Sequence, residues 1–341
     1  MMITRRSLLK TGALAATSAM ATSCLPRATE KPPIVLGYST WAGWWPWAIA
    51  EEEKLFAANG VNVQMRWFDG YLESIKAFGA GQIDGNSQTL NDTVSMMADA
   101  VSPPQVVLVN DNSAGNDQLI VRSGINTIKD LLGKKVAVEE GVVGDFLLSL
   151  ALDKAGYSRK DVTIVPLETG AAATAFLAGQ VDAAGLWAPF WLRALERPGS
   201  KALYTSKEFP GAIPDLLVVS QKLTEERPED VQKIIKTWFD VREFMEKNPQ
   251  RANEIMAKRA EVTLEELQLF ADGVKFFTPQ DNLKAFQPGE GMVHMPYAAK
   301  QMANFMVSVG FIPSVPDMSG LFNKQFIQAY LEEKKVAYGS V

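Results

Sequence analysis

From Ile34 onward, short apolar runs alternate with longer amphipathic ones. Ile34-Val35-Leu36-Gly37-Tyr38 is followed by a helical stretch from Trp47 to Asn59 and then by Val61-Asn62-Val63-Gln64-Met65. This is βαβ patterning, which predicts a parallel or mixed sheet with helices on its faces. Gly60 stands where a left-handed helix C-cap belongs. Further strands are expected at Val106 to Val109, Lys135 to Val138 and Leu216 to Val219, with a helix near Ile128 to Leu132. After Ser220 the pattern turns helical. Pro228-Glu229-Asp230 opens a helix whose Val231, Ile234, Ile235, Trp238 and Phe239 follow three-and-four spacing, and Thr263-Leu264-Glu265-Glu266 is a capping box. Trp238 and the stretches around Phe276, Met292 and Phe305 are expected in the core.

The strongest internal signal is an echo. Residues 77–84 read Ala-Phe-Gly-Ala-Gly-Gln-Ile-Asp, and 98 positions later residues 175–182 read Ala-Phe-Leu-Ala-Gly-Gln-Val-Asp. Each copy reads as a helix end closed by glycine and feeding a strand. Two copies imply two similar lobes, each with its own sheet. Asn110 to Asp117 is polar and turn-rich, which suits a crossing between lobes, and Phe209 to Asp215 is the expected return. Two crossings make a hinge.

Composition narrows the function. The chain has 341 residues, 47% hydrophobic and 21% charged, an ordinary globular balance, and its net charge of -5 argues against nucleic acid or anionic lipid as partner. A single cysteine and a single histidine exclude an intrachain disulfide and most zinc sites. His294 has no nucleophile motif around it, so no catalytic residues, metal or cofactor are expected, and the chain is expected to be a monomeric non-enzyme. A carboxylate-held metal, alone or beside an anion such as bicarbonate, stands as a competing reading.

The segment Thr4-Arg5-Arg6-Ser7-Leu8-Leu9-Lys10, a short apolar run and then Cys24 resemble a twin-arginine export signal ending in a lipoprotein cleavage box. The implied organisation is a signal peptide over 1–23, a linker over 24–32, a first lobe from 33–111 and 213–335, and a second lobe over 112–212. Lipidation of Cys24 and a periplasmic location follow from the same resemblance.

The mature chain resembles the periplasmic substrate-binding proteins of ABC importers, of the nitrate/taurine type. The residues that carry the likeness are Gly37-Tyr38-Ser39-Thr40-Trp41, the paired Ala-Gly-Gln-Ile/Val-Asp junctions, Lys129-Asp130-Leu131-Leu132-Gly133-Lys134-Lys135-Val136 and Leu186-Trp187-Ala188-Pro189-Phe190. This resemblance implies a two-lobed α/β fold (type II) of two mixed sheets flanked by helices, and a permease with its ATPase as partners. Trp41-Ala42-Gly43-Trp44, Asn112 to Asp117, Val138-Glu139-Glu140-Gly141 and Pro198 to Ser206 are similar to the branch associated with urea carboxylase gene regions, which implies urea or guanidinium as solute.

The residues point the same way without the resemblance. Ligands of open α/β sheets sit beyond the carboxyl ends of the strands. The loops meeting that rule are Ser39 to Trp47, Trp67 to Tyr71, Asn86 to Asp92, Asn110 to Asp117, Glu139 to Asp145, Glu168 to Ala172 and Gly185 to Trp191. None contains a lysine or arginine, while Asp69, Asp92, Asp111, Asp117, Glu139, Glu140, Asp145 and Glu168 are acidic. Carboxylates accept only, so they suit a donor-rich planar cation and repel nitrate or a sulfonate. Tryptophan faces from both lobes add cation–π attraction. The expected ligand contacts are Trp41, Trp44, Thr89, Asp92, Asp111, Glu140, Trp187 and Asp215. Trp45 and Trp47 are expected to pack inward, and of Glu139 and Glu140 only one can face the ligand. A thiamine-precursor pyrimidine or another small neutral nitrogen compound is the alternative guest.

Overall fold

A computed structural model describes residues 31–338 of the chain. The twin-arginine segment and Cys24 lie outside the described residues. Eleven strands occur among those described. In chain order they are β1 (Ile34–Tyr38), β2 (Val63–Trp67), β3 (Gly85–Thr89), β4 (Pro104–Ser113), β5 (Asp117–Val121) and β6 (Lys135–Val138), then β7 (Thr163–Pro166), β8 (Ala183–Trp187), β9 (Lys201–Thr205), β10 (Pro214–Ser220) and β11 (Val274–Phe276). They form a six-stranded sheet in the order β11-β4-β10-β3-β1-β2 and a five-stranded sheet in the order β7-β6-β8-β5-β9. Both are mixed: β1 runs parallel to β2 and β3, and β6 parallel to β7 and β8, while β10 and β5 enter antiparallel.

The sequence echo is a structural one. Its copies lead into β3 and β8, preceded by the helices Tyr71–Gly79 and Thr169–Leu177, and Gly81 and Gly179 turn the chain at φ 69° and 76°. A side chain at these angles meets its own backbone, which is why glycine recurs. The final aspartate of each copy does the same work. Asp84 accepts from the Val35 N–H at 2.8 Å and Asp182 from the Lys135 N–H at 3.1 Å, so each ties the echo strand to the start of a neighbouring parallel strand, β1 or β6.

Two predicted elements differ. The helix expected from Trp47 to Asn59 is broken into Trp47–Glu52 and Leu55–Ala58, with Lys54 left-handed at φ 54° between them. Glu51, Glu52 and Glu53 crowd the negative end of the first helix, which disfavours its continuation. The polar stretch Asn110 to Ser113 is not yet a turn but the end of β4, paired to Pro214, Asp215 and β11. The helix Pro228–Lys247 buries Val231, Ile234, Ile235 and Trp238, and the Trp238 ring lies 4.7 Å from that of Trp47. Phe276, Met292 and Phe305 are only half-buried, packed on the margin of the core rather than inside it.

Between the sheets the chain crosses after β4 and again before β10. Serine hydroxyls stitch the crossings together: Ser113 Oγ and Ser206 Oγ lie 2.7 Å apart, and the Gly115 N–H donates to Ser206 Oγ at 2.7 Å. No helix among the described residues is long and apolar enough to cross a membrane.

Candidate functional site

The loop after β1 coils into a single turn, with the N–H groups of Trp44 and Trp45 both donating to the Trp41 carbonyl. Three-residue spacing then puts Trp41 and Trp44 on one side, their rings 6.5 Å apart edge to face. Trp45 and Trp47 turn the other way, as expected, onto Phe270 and onto Trp238 and Phe56. Trp41 and Trp44 wall a cavity completed by Tyr71, Trp187, Asp117 and Asp215. The free space between its lining atoms, including what opens to solvent, is about 250 Å³.

Four aspartates crowd this place, all nearly without solvent contact. Thr89 caps the helix Leu90–Met96, and its hydroxyl and that of Tyr71 donate to Asp92 Oδ2 at 2.7 and 2.8 Å. The helix starts at Leu90 rather than near Thr93, so Thr89 and not Asp92 is its cap. Asp111 and Asp215 are register partners across the β4–β10 pair. Asp111 Oδ1 accepts from the Trp41 indole at 3.2 Å, and its carboxyl lies so close to Gly43 that a Cβ there would come within 2.0 Å of Oδ2. Asp117 opens β5 with its N–H on Ser113 Oγ at 3.3 Å. The carboxyls of Asp111 and Asp215 are hydrogen-bonded to each other, which needs a proton between them, while Asp117 Oδ2 and Trp44 Nε1 are buried without a partner. A buried polar atom left unpaired costs about 1–3 kcal/mol, more when charged.

Burial is the main cause of the acids' behaviour here. It pushes Asp92, Asp111 and Asp117 up to about 7, against the downward pull of their hydrogen bonds. Asp215 is raised well above the usual carboxylate range, first by burial, then by the negative charge of Asp111 and Asp117 beside it and by its hydrogen bond to Asp111. Among the described residues, no lysine or arginine lines the cavity. Arg242 is the cation whose charge reaches Asp111, but it is stacked on Phe276 at 3.9 Å, outside the lining.

Across the cleft the sheets are in contact. Trp187 Nε1 donates to the Thr40 carbonyl at 2.9 Å, and the Leu72 N–H donates to Glu139 Oε1 at 3.1 Å while Thr169 Oγ1 donates to Oε2 at 3.2 Å. Glu139 is buried, and burial raises it to about 7. It lines a second, roomier acidic recess beside the cavity, about 420 Å³ counted the same way, with Ser39, Asp69, Glu168 and Phe190.

Among the described residues, no three His, Cys, Asp or Glu side chains are grouped to hold a metal ion. His294 lies outside the cavity lining, with Nδ1 at 3.0 Å from the Gln287 carbonyl.

The model of the NMT1-like family matches residues 27–260. The chain belongs to the NMT1-like family. A binding protein of Brucella abortus (strain 2308) is 30% identical over 75% of this chain and 81% of its own length. The taurine-binding periplasmic protein of Escherichia coli (strain K12) is 27% identical over 86% of this chain and 92% of its own. Among solved structures, the alkanesulfonate-binding protein from Xanthomonas axonopodis pv. citri, bound to MOPS, superposes with a TM-score of 0.73 at 18% identity, covering 87% of this chain and 100% of that one. That likeness establishes the two-sheet fold of periplasmic binding proteins.

In this NMT1-like chain the structure gathers Trp41, Trp44, Thr89, Trp187 and Asp215 on the cavity wall, with Asp92 and Asp111 directly behind it. Glu140 is a correction. Its side chain is 54% exposed and meets Arg159 at 3.3 Å, while its neighbour Glu139 is the one turned into the cleft. Arg159, outside the cleft loops, also holds Asp145 at 2.6 Å, so it draws Glu140 to that side. Sequence reasoning did not select Tyr71, Asp117 or Glu139 as contacts. Asp117 and Glu139 were visible as acidic loop positions, whereas nothing in the local pattern marked Tyr71, which gains its role from the hydrogen bond to Asp92.

Proposed function

We propose that this NMT1-like chain is the solute-binding component of an ABC import system, and that its guest is a small planar nitrogenous cation, with guanidinium the best fit. One observation carries the reading: buried carboxyls, Asp111 and Asp215 hydrogen-bonded to each other and Asp117 with an unpartnered oxygen, stand at a tryptophan-walled cavity that no lysine or arginine lines among the described residues. Guanidinium is all donor and offers paired N–H groups to each carboxylate, while the indole faces of Trp41, Trp44 and Trp187 attract its charge. Charged hydrogen bonds of about 1.5–3 kcal/mol and cation–π contacts of about 2 kcal/mol, several together, reach the roughly 8 kcal/mol of micromolar binding after association costs. The names of the relatives include taurine and alkanesulfonate, whose sulfonate groups would face Asp117 and Asp215 here without a counter-cation.

Urea is the second reading, favoured by Trp44 Nε1, a buried donor without an acceptor that a urea carbonyl would satisfy. Titration calorimetry with guanidinium, urea, taurine and nitrate separates the readings. Guanidinium binding at micromolar concentration supports the first, urea alone supports the second, and tight binding of taurine or nitrate overturns both. Closure of the two lobes on the solute would present the closed form to the permease. Export by the twin-arginine route and lipidation of Cys24 complete the reading. Mass spectrometry of the membrane fraction tests the lipid: an unmodified mature terminus removes it.

A further inference from the structure

The loop after β6 is fastened to the first lobe on two sides. On its buried side Glu139 accepts from the Leu72 N–H at 3.1 Å. On its solvent side Glu140 and Asp145 hold Arg159, and the Arg159 guanidinium carbon stands 4.8 Å from the centre of the Phe311 ring. Phe311 belongs to the first lobe: it follows the helix Met295–Val309, which packs on the helix Leu90–Met96 beside β3 and β10. Arg159 belongs to the second, in the single turn between the helix Val143–Lys154 and β7, and that helix packs on β5 and β8. The pair therefore meets across the lobes. The rings of Phe146 and Phe305, 5.8 Å apart edge to face, join the same two helices.

Both members are aimed by their own lobes. Asp145, whose side chain is without solvent exposure, takes Arg159 with both oxygens, at 2.9 Å from Nε and 2.6 Å from Nη2. A bidentate pair fixes the guanidinium plane and leaves its face for stacking. On the other lobe Gly310, at φ 81°, ends its helix, and the Phe311 N–H turns back to the Met306 carbonyl at 2.8 Å. That helix-ending turn sets the direction of the residue after the glycine. Met295, at the far end of the same helix, shares a recess with Ser113 and Ser206 of the crossings. At a rise of about 1.5 Å per residue the helix carries Phe311 on the order of 20 Å from that end. A contact so far from the pivots opposes their rotation with a long lever.

We propose that Arg159 is a positioning residue for solute retention: stacked on Phe311, it latches the second lobe against the first and slows the guest's escape. This rests on the reading of a solute held in the cleft. Arg159 touches no wall of the tryptophan cavity, so it acts on the guest only through closure. The ion pair with Asp145 accounts for Arg159 within its own lobe, while the ring on the other lobe is what converts it into a latch.

The test changes the ring and keeps the arginine, since removing Arg159 would leave Asp145 buried and unpaired. Phe311→Leu keeps an apolar side chain without a π face, and Phe311→Tyr restores the face. By stopped-flow tryptophan fluorescence with guanidinium, Phe311→Leu should raise the dissociation rate about 3- to 10-fold, the size of a partly desolvated cation–π contact, with the association rate unchanged. Phe311→Tyr should bring dissociation back to the parent value. A ring with only a structural part would lower the melting temperature and leave both rates alone. Unchanged dissociation in Phe311→Leu, or no rescue by Phe311→Tyr, would overturn the latch. Should guanidinium fail to bind, that reading falls by itself and solution scattering without ligand decides the latch: the radius of gyration should rise in Phe311→Leu and return in Phe311→Tyr, and equal radii in all three proteins would overturn it.

Discussion

Asp215 stands directly across the β4–β10 pair from Asp111, both side chains are buried, and the two carboxyls are hydrogen-bonded to each other. Two carboxyls so placed cannot both be charged without a cation between or beside them. Asp215→Asn should therefore weaken guanidinium binding by roughly 10- to 100-fold, the loss of a charged hydrogen bond worth about 1.5–3 kcal/mol. The unliganded variant should melt no lower than the parent at pH 8, because an acid whose ionised form is opposed by burial and by the charge of Asp111 and Asp117 has been removed. Calorimetry and thermal melts read the two effects separately, and an unchanged affinity would take Asp215 out of the site.

Binding and stability should respond to pH in opposite directions. Folded, Asp92, Asp117 and Glu139 keep a proton up to about pH 7, while the unfolded chain releases it near pH 4. The folded state thus holds more protons between these values, and the stability this contributes is present at low pH and lost as pH rises through about 7. A cation selects the charged carboxylates, so guanidinium affinity should rise from pH 5.5 to 8, by up to about tenfold per pH unit for each proton released. Melts without ligand at pH 5.5 and 8, and calorimetry in buffers of different ionisation enthalpy, measure both. A flat affinity profile would show that no proton leaves on binding.

Glu139 and Glu140 adjoin in sequence and differ in task. Glu139→Gln keeps the size but trades a charged acceptor for a neutral one at the Leu72 N–H, and should weaken ligand binding about 3- to 10-fold by favouring the open cleft. Glu140→Gln should change it less than about twofold, since an exposed ion pair contributes about 0–1 kcal/mol. Tryptophan fluorescence titration of the two variants distinguishes them.

The echo aspartates should matter for stability and not for binding. Asp84→Asn removes the charged acceptor of the Val35 N–H and should lower unfolding free energy by about 1–2 kcal/mol in urea, with guanidinium affinity unaltered. Loss of affinity at unchanged stability would contradict that division.

Gly43→Ala should damage the site without touching a polar group. The added methyl would fall 2.0 Å from Asp111 Oδ2, forcing Asp111 or the Trp41 turn to move. A drop of at least tenfold in affinity, with a lower melting temperature, is expected by calorimetry and thermal melts.

Much of the fold was readable because it rests on repeated local chemistry. Ala-Gly-Gln-Ile/Val-Asp specifies a helix end, a left-handed glycine, a buried aliphatic residue and an aspartate that binds the neighbouring strand's N–H, and it does so in both lobes. The break at Lys54 and the extension of β4 through Ser113 were harder to read, since one depends on charge crowding at a helix end and the other on partners more than a hundred residues away.

The site divides along the same line. Sequence alone established that the cleft loops carry acids and tryptophans and no basic residue, because charge and side-chain type belong to each residue whatever its neighbours. Direction does not. Whether Glu139 or Glu140 turns inward, whether Tyr71 reaches Asp92, and that Asp111 shelters behind Gly43 and Trp41 were decided only when distant segments packed. One residue of rotation past a strand end exchanges a buried carboxylate for a solvated one, and it takes the competing pulls of Arg159 and the Leu72 N–H to choose between them.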